Sequence, residues 1–167
     1  MEALGIIKHI GMTFALIGST FGMVFYYAAW WDGKVDDSEK HFMHLVYFIV
    51  RIGLYILIPW EIGVMFWTMY ADIPSYYDSA VNWFRVLLLG IIFYNAVLMT
   101  RHKMPLWIGP AIAGGSWYYY FFVSVTHKTF GVAQLFLYYV IFVGLLALAM
   151  HILKRQLIDK RKVIAQE

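Results

Sequence analysis

A chain of 167 residues that is 62% hydrophobic and 20% aromatic, with only 14% charged residues and a mean hydropathy of +0.67, is too apolar for a soluble domain, in which about 25% of residues are charged. The excess runs the whole length, so the composition specifies a small polytopic membrane protein, an all-α helical bundle forming one transmembrane domain. There is no cysteine, which excludes disulfides, iron–sulfur ligation, covalent c-type haem attachment and thiolate zinc sites; the formal net charge of +3 matters less than its placement.

Five apolar segments follow one another, each long enough at 1.5 Å per residue to cross a hydrocarbon core of about 30 Å. The first covers about residues 5–31 and includes the uncharged run "IGMTFALIGSTFGMVFYYAAWW". No basic run precedes it and no small-residue cleavage site follows a short apolar core, so it reads as a retained helix and not a removed signal peptide. Gly11, Gly18 and Gly22, with Ser19 among them, form a small-residue stripe that admits either a neighbouring helix or a porphyrin plane. The second segment, about 41–70, is broken only by Arg51 and Glu61, and Pro59 in its interior is expected to kink it. The third, about 79–101, carries Arg85 near its start and Asn95 near its end. The fourth, about 104–127, opens with Pro105 and contains Gly109, Gly114 and Gly115, open to the same two readings as the first stripe. The fifth, about 129–155, leads into a basic tail over 154–167, "KRQLIDKRKVIAQE", expected to carry the last helix into water. The links "DGKVDDSEK", "ADIPSYYDS", "RHK" and "HK" are short, which makes consecutive helices antiparallel neighbours.

Basic residues in short loops orient the bundle. With five spans, one face collects Lys34, Lys40, Arg101, Lys103, Lys154, Arg155, Lys160, Arg161 and Lys162, and the other only Lys8 and Lys128. Positive charge stays on the cytoplasmic side, so the N-terminus is expected outside and the C-terminus in the cytoplasm of a bacterial or archaeal plasma (inner) membrane.

Ionisable groups inside such segments need partners, because a lone ion in lipid costs several kcal/mol. Glu61 lies nine residues before the end of its helix and Arg85 six residues into the next, roughly 14 and 9 Å along antiparallel axes, so the two are expected to pair. By the same count Arg51 falls near the level of Asn95. These contacts orient helices, form a proton or anion path, or clamp a carboxylate-bearing cofactor.

The histidines cluster near helix ends. His9 and His127 share a depth on the outer side, and His44 and His102 share one on the inner side. Two imidazoles from opposing helices at one depth are what a b-type haem iron requires, with basic groups for its propionates. Lys8, Lys128, Arg101 and Lys103 are placed for that role. Each histidine is equally well read as an interfacial residue, as His41 and His151 are here. His41 and His44, three apart, are also read as a shallow metal site with Asp37 or Glu39.

The opening "IIKHIGMTFALIGSTFGMVFYY" resembles the first helix of small bacterial membrane proteins of the copper-resistance-D and protoporphyrinogen-oxidase-like families, in which a histidine precedes a glycine-rich span. The resemblance covers about 22 residues and implies a haem protein with His9 as an iron ligand.

There is no phosphate-binding loop, zinc-protease motif or nucleophile elbow, and the basic tail has few aromatics for stacking bases, so no nucleic-acid partner is expected. The expected protein holds haem b and transfers electrons, either alone or as the membrane anchor of a quinone-linked redox complex. Its expected partners are membrane lipid, a quinone, redox subunits and further copies of itself. A cofactor-free structural or assembly subunit is the second reading, and a small oligomeric channel or transporter the third, weakened by a chain too short for inverted repeats.

Overall fold

The computed structural model describes residues 2–32, 37–73, 78–101, 103, 108–126 and 130–164. The described residues form five helices: α1 (Glu2–Asp32), α2 (Asp37–Tyr70), α3 (Ala80–Thr100), α4 (Ile108–Val125) and α5 (Val132–Ile164). Four of them, α1, α2, α3 and α5, contain stretches long and apolar enough to cross a membrane. The exception is α4. Its 18 residues span about 27 Å, and it is rich in glycine and tyrosine. Ten of the 18 are buried, so α4 faces protein where the other helices face outward, and its composition follows that position.

The helix ends have local causes. At the end of α2, Ile73 N–H donates to Thr68 O at 2.9 Å and Asp72 N–H to Met69 O at 3.3 Å. Asp72 has φ 49°, the left-handed residue that closes such a terminus and that aspartate tolerates better than most side chains. α3 starts after an extended Ser79, whose carbonyl accepts from Asn82 and Trp83 N–H. Pro110 is the third residue of α4, inside the first turn, where no helical N–H is needed. The fifth helix continues to Ile164, so the basic segment after Lys154 is helical over its described part. α2 continues as one helix through Pro59, whose ring is on the exposed side.

The tightest crossing joins α1 to α2. Gly53 of α2 sits so close to α1 that a Cβ there would lie 2.8 Å from Ala15 Cβ and 2.9 Å from Gly11 O. On α1, the spaces beside Gly11, Gly18 and Gly22 are filled by Ile56, Val50 and Val46 respectively. The stripe is therefore a helix-packing surface, and the porphyrin-plane alternative fails because α2 already occupies it. The glycines of α4 are filled in the same way, Gly114 by Met23 and Gly115 by Val143 and Leu146. α4 packs on α1, α3 and α5 together, and its aromatic side chains make the core. Trp117 and Tyr120 are fully buried with Phe84 and Leu88 of α3, and Tyr119 stacks edge-on against Phe84 and Tyr139 at centroid distances of 6.0 and 5.6 Å. The outward faces carry large apolar side chains throughout, among them Tyr55, Phe66, Phe93 and Leu145.

Gly53→Ala is expected to lower stability by about 1–3 kcal/mol through overpacking. Gly63→Ala, where no atom lies within 4 Å of the added carbon, should be neutral or slightly stabilising. Thermal unfolding of both variants in mild detergent checks this; equal shifts would mean the helices do not cross at Gly53.

Candidate functional site

Each helix buries one stripe, and the polar groups that matter lie on those stripes. On α2 the buried line is Leu54, Leu57, Glu61, Met65 and Thr68, at helical spacing. On α1, Lys8 lies in line with buried Met12, Ala15 and Ser19, which turns its side chain inward. On α3, Asn82, Arg85, Leu88, Ile92 and Asn95 form the inner face, and on α4 Tyr120 lies below Ser116 and Trp117.

These four stripes converge on Glu61, which is 0% exposed. Tyr120 donates its hydroxyl to Glu61 Oε1 at 2.6 Å, the short length of a charge-assisted bond. Lys8 Nζ lies 3.4 Å from the same oxygen, and Arg85 Nη2 donates to Oε2 at 3.3 Å. Arg85 Nη2 also donates to Asn82 Oδ1 at 2.6 Å. One carboxylate thus joins α1, α2, α3 and α4. Two basic side chains thus approach the one carboxylate. Lys8 keeps 16% of its side chain exposed, the most open edge of the site.

Arg85 therefore contacts Glu61, while Arg51 and Asn95 do not meet. Asn95 is buried and donates through Nδ2 to Gly109 O at 3.0 Å, a bond between α3 and the start of α4. Arg51 lies about 80° around α2 from Glu61, on the side of exposed Tyr55 and Ile62, and is itself exposed. Matching depth put Arg51 and Asn95 level, but azimuth turns the arginine outward.

Of the expected haem ligands, His127 and His102 lie outside the described residues, as does Lys128. His9 is on the exposed face of α1, with Ile6, Ile10, Thr13, Phe14 and Ile17 lining a shallow apolar hollow beside it. Its Nδ1 contacts Gly5 O at 2.7 Å. A carbonyl can only accept, so Nδ1 is the donor in this contact. His44 and His41 are exposed on α2, Arg101 and Lys103 are exposed beyond α3, and His151 is half-buried on α5. Among the described residues no group of three or more histidine, aspartate and glutamate side chains gathers around one point, so the shallow metal site of His41 and His44 with Asp37 does not assemble there; the Glu39 side chain lies outside the description.

The chain matches no family model, no curated protein and no solved structure.

Sequence reasoning assigned Lys8 to a propionate and missed Tyr120 and Asn82. α1 begins at Glu2 and not near residue 5, which puts Lys8 about 9 Å along the helix, deep enough to reach a buried partner. Tyr120 is one of three consecutive tyrosines, and only the α4 packing tells which one points at the carboxylate.

Glu61→Gln or Arg85→Met alone is expected to cost about 3–5 kcal/mol, because each leaves a buried charge uncompensated. The double variant should lose less than the sum, with a coupling of about 0.5–3 kcal/mol. Tyr120→Phe should cost about 1.5–3 kcal/mol, the worth of a hydrogen bond to a charged group. Unfolding in detergent measures all four, and strictly additive losses would rule out the contact.

Proposed function

We propose that this chain is a membrane haem b protein that transfers electrons as part of a quinone-linked redox complex, with His9 as an iron ligand. The observation that carries the reading is the His9 contact. A ligating imidazole ordinarily donates its second nitrogen to a backbone carbonyl or carboxylate, which fixes the tautomer and raises the basicity of the other nitrogen. The Nδ1–Gly5 carbonyl contact of His9 matches this arrangement, and an apolar hollow lies alongside. Lys8 is the adjacent residue, and its ammonium keeps part of its surface exposed beside Glu61, where a propionate could meet it. The resemblance of the first helix to haem-binding families points the same way. In this reading His127 supplies the second ligand on the outer side, and His44 with His102 holds a second haem on the inner side. Lys128, Arg101 and Lys103 receive the remaining propionates.

Arg51 supports the role of a subunit. An arginine on the outward face of a spanning helix is expensive in lipid, and it makes no hydrogen bond or ion pair among the described residues. An acidic or carbonyl-bearing partner helix relieves that cost.

Reduced, purified protein should show the narrow visible bands of six-coordinate low-spin haem, and His9→Ala should remove one centre while leaving any second one. An intact protein with no Soret absorbance, even when haem is supplied during expression, would overturn the reading and favour a structural subunit built on Glu61. Orientation is a separate expectation. The chain has no cysteine, so single cysteines at Glu2 and Glu167 are clean labels. The first should react from outside and the second only from the cytoplasm.

A further inference from the structure

The outward face of α2 carries a charge with no partner among the described residues. Arg51 is exposed and makes neither a hydrogen bond nor an ion pair there. It lies about ten residues from one end of the apolar stretch His41–Tyr70 and about nineteen from the other, roughly 15 and 28 Å along the axis, which puts its Cα inside the hydrocarbon. The residues beside it follow one line. His44, Phe48, Arg51, Tyr55, Ile58 and Ile62 are spaced alternately four and three apart, the seam along which one helix packs against another. Phe48 is 60% exposed, Tyr55 75% and Ile62 42%, so the seam is uncovered on both sides of the arginine. Ile58 and Ile62 also wall an apolar crevice against α3, so the face is ridged where a helix would lie.

We propose that this seam is the docking surface for a spanning helix of another protein that bears a carboxylate at the level of Arg51. The proposal rests on the subunit part of the reading above and names the chemistry of the partner, with no dependence on haem. Charge and depth select a carboxylate together. An arginine in lipid is costly unless paired, and its planar guanidinium fork matches both oxygens of a carboxylate. A second copy of this chain has no such group to offer. Of its ten acidic residues Glu61 alone lies within an apolar span, and it is buried and already held by Lys8, Arg85 and Tyr120. A two-fold pair formed on this face would also set Arg51 beside Arg51, because such an interface uses the same patch twice. A lipid phosphate lies outside the hydrocarbon, so it meets the guanidinium only if the head group is drawn inward; a carboxylate on a neighbouring helix is met at its own depth. Helix side chains lean toward the N-terminus, so the matching carboxylate belongs within about one turn of Arg51 on the His44 side. One charge in a mostly apolar seam then fixes the partner's register, as a single polar position does in a coiled coil.

The probe is a series of synthetic membrane peptides, each of about 20 leucine and alanine residues with one glutamate at a successive turn, and one peptide with none. The full-length protein, labelled at a single cysteine in place of Glu167, is reconstituted with each in phosphatidylcholine vesicles, and energy transfer to a dye on the peptide reads association. The peptide whose glutamate comes level with Arg51 should bind about tenfold more tightly than the one without glutamate, the scale of a polar contact between membrane helices. The preference should fall away two turns to either side. Arg51→Leu should abolish it while thermal stability is kept, since the side chain faces outward, and the peptide series on the unaltered chain tests the site without any variant. Equal binding of all the peptides, or a preference that survives Arg51→Leu, would overturn the proposal. Its loss when phosphatidylglycerol replaces part of the phosphatidylcholine would overturn it in favour of a lipid head group at Arg51. A changed oligomeric state of Arg51→Leu without peptide would overturn it in favour of a second copy. Selective binding by protein that lacks Soret absorbance would sustain the docking surface while the haem reading failed.

Discussion

The burial of Glu61 constrains this bundle more than any other feature. Removing a carboxylate from water costs several kcal/mol even after relaxation, and the cost is offset only by well-placed opposite charges and hydrogen bonds. Here the compensation comes from three other helices at once: Lys8 from α1, Arg85 from α3 and Tyr120 from α4. Helix packing in a bilayer lacks the hydrophobic drive available in water, so a shared ion of this kind sets rotation and depth where apolar contacts discriminate poorly. A sliding of α1, α2 or α3 by a turn, about 5.4 Å, would strand a charge.

Around that point the packing follows from residue size. α1 and α2 approach closely because Gly11 and Ala15 face Gly53, and the larger Ile56, Val50 and Val46 fill what Gly11, Gly18 and Gly22 leave. α4 combines small residues, which let α1 and α5 come near, with aromatic ones that carry hydroxyls inward. Ser116 with Tyr139 at 2.8 Å, and Tyr119 with Leu135 O at 2.9 Å, fasten α5 to this core. Polar tips on aromatic bodies fill volume and satisfy hydrogen bonds together, which explains how a helix this rich in tyrosine can be the most buried of the five.

The same cluster links structure to the proposed chemistry. Its most open group, Lys8, is next to His9, and Glu61 lies among the otherwise apolar residues that line the α2–α3 crevice. The bundle therefore has two apolar recesses near one charged centre, one beside His9 and one between α2 and α3.

Composition alone determined that the protein is helical and built for a membrane, since only helices and closed barrels satisfy the backbone in lipid and the apolar runs have helical span length. Segment order and rough boundaries were legible for the same reason, and counting 1.5 Å per residue along antiparallel helices brought Glu61 and Arg85 to neighbouring depths. Counting depth says nothing of azimuth or of which helices touch. That is why Arg51 and Asn95 were matched yet point apart, why Lys8 was assigned to the interface, and why Tyr120 was indistinguishable from Tyr118 and Tyr119. The glycine stripe of α1 was equally suited to a helix and to a flat ring, and only the presence of Val50 and Ile56 against it decided between them. Periodicity places a residue on its own helix; which neighbour that face meets is a property of the whole bundle, because every rotation must satisfy Glu61 and all five helices at once.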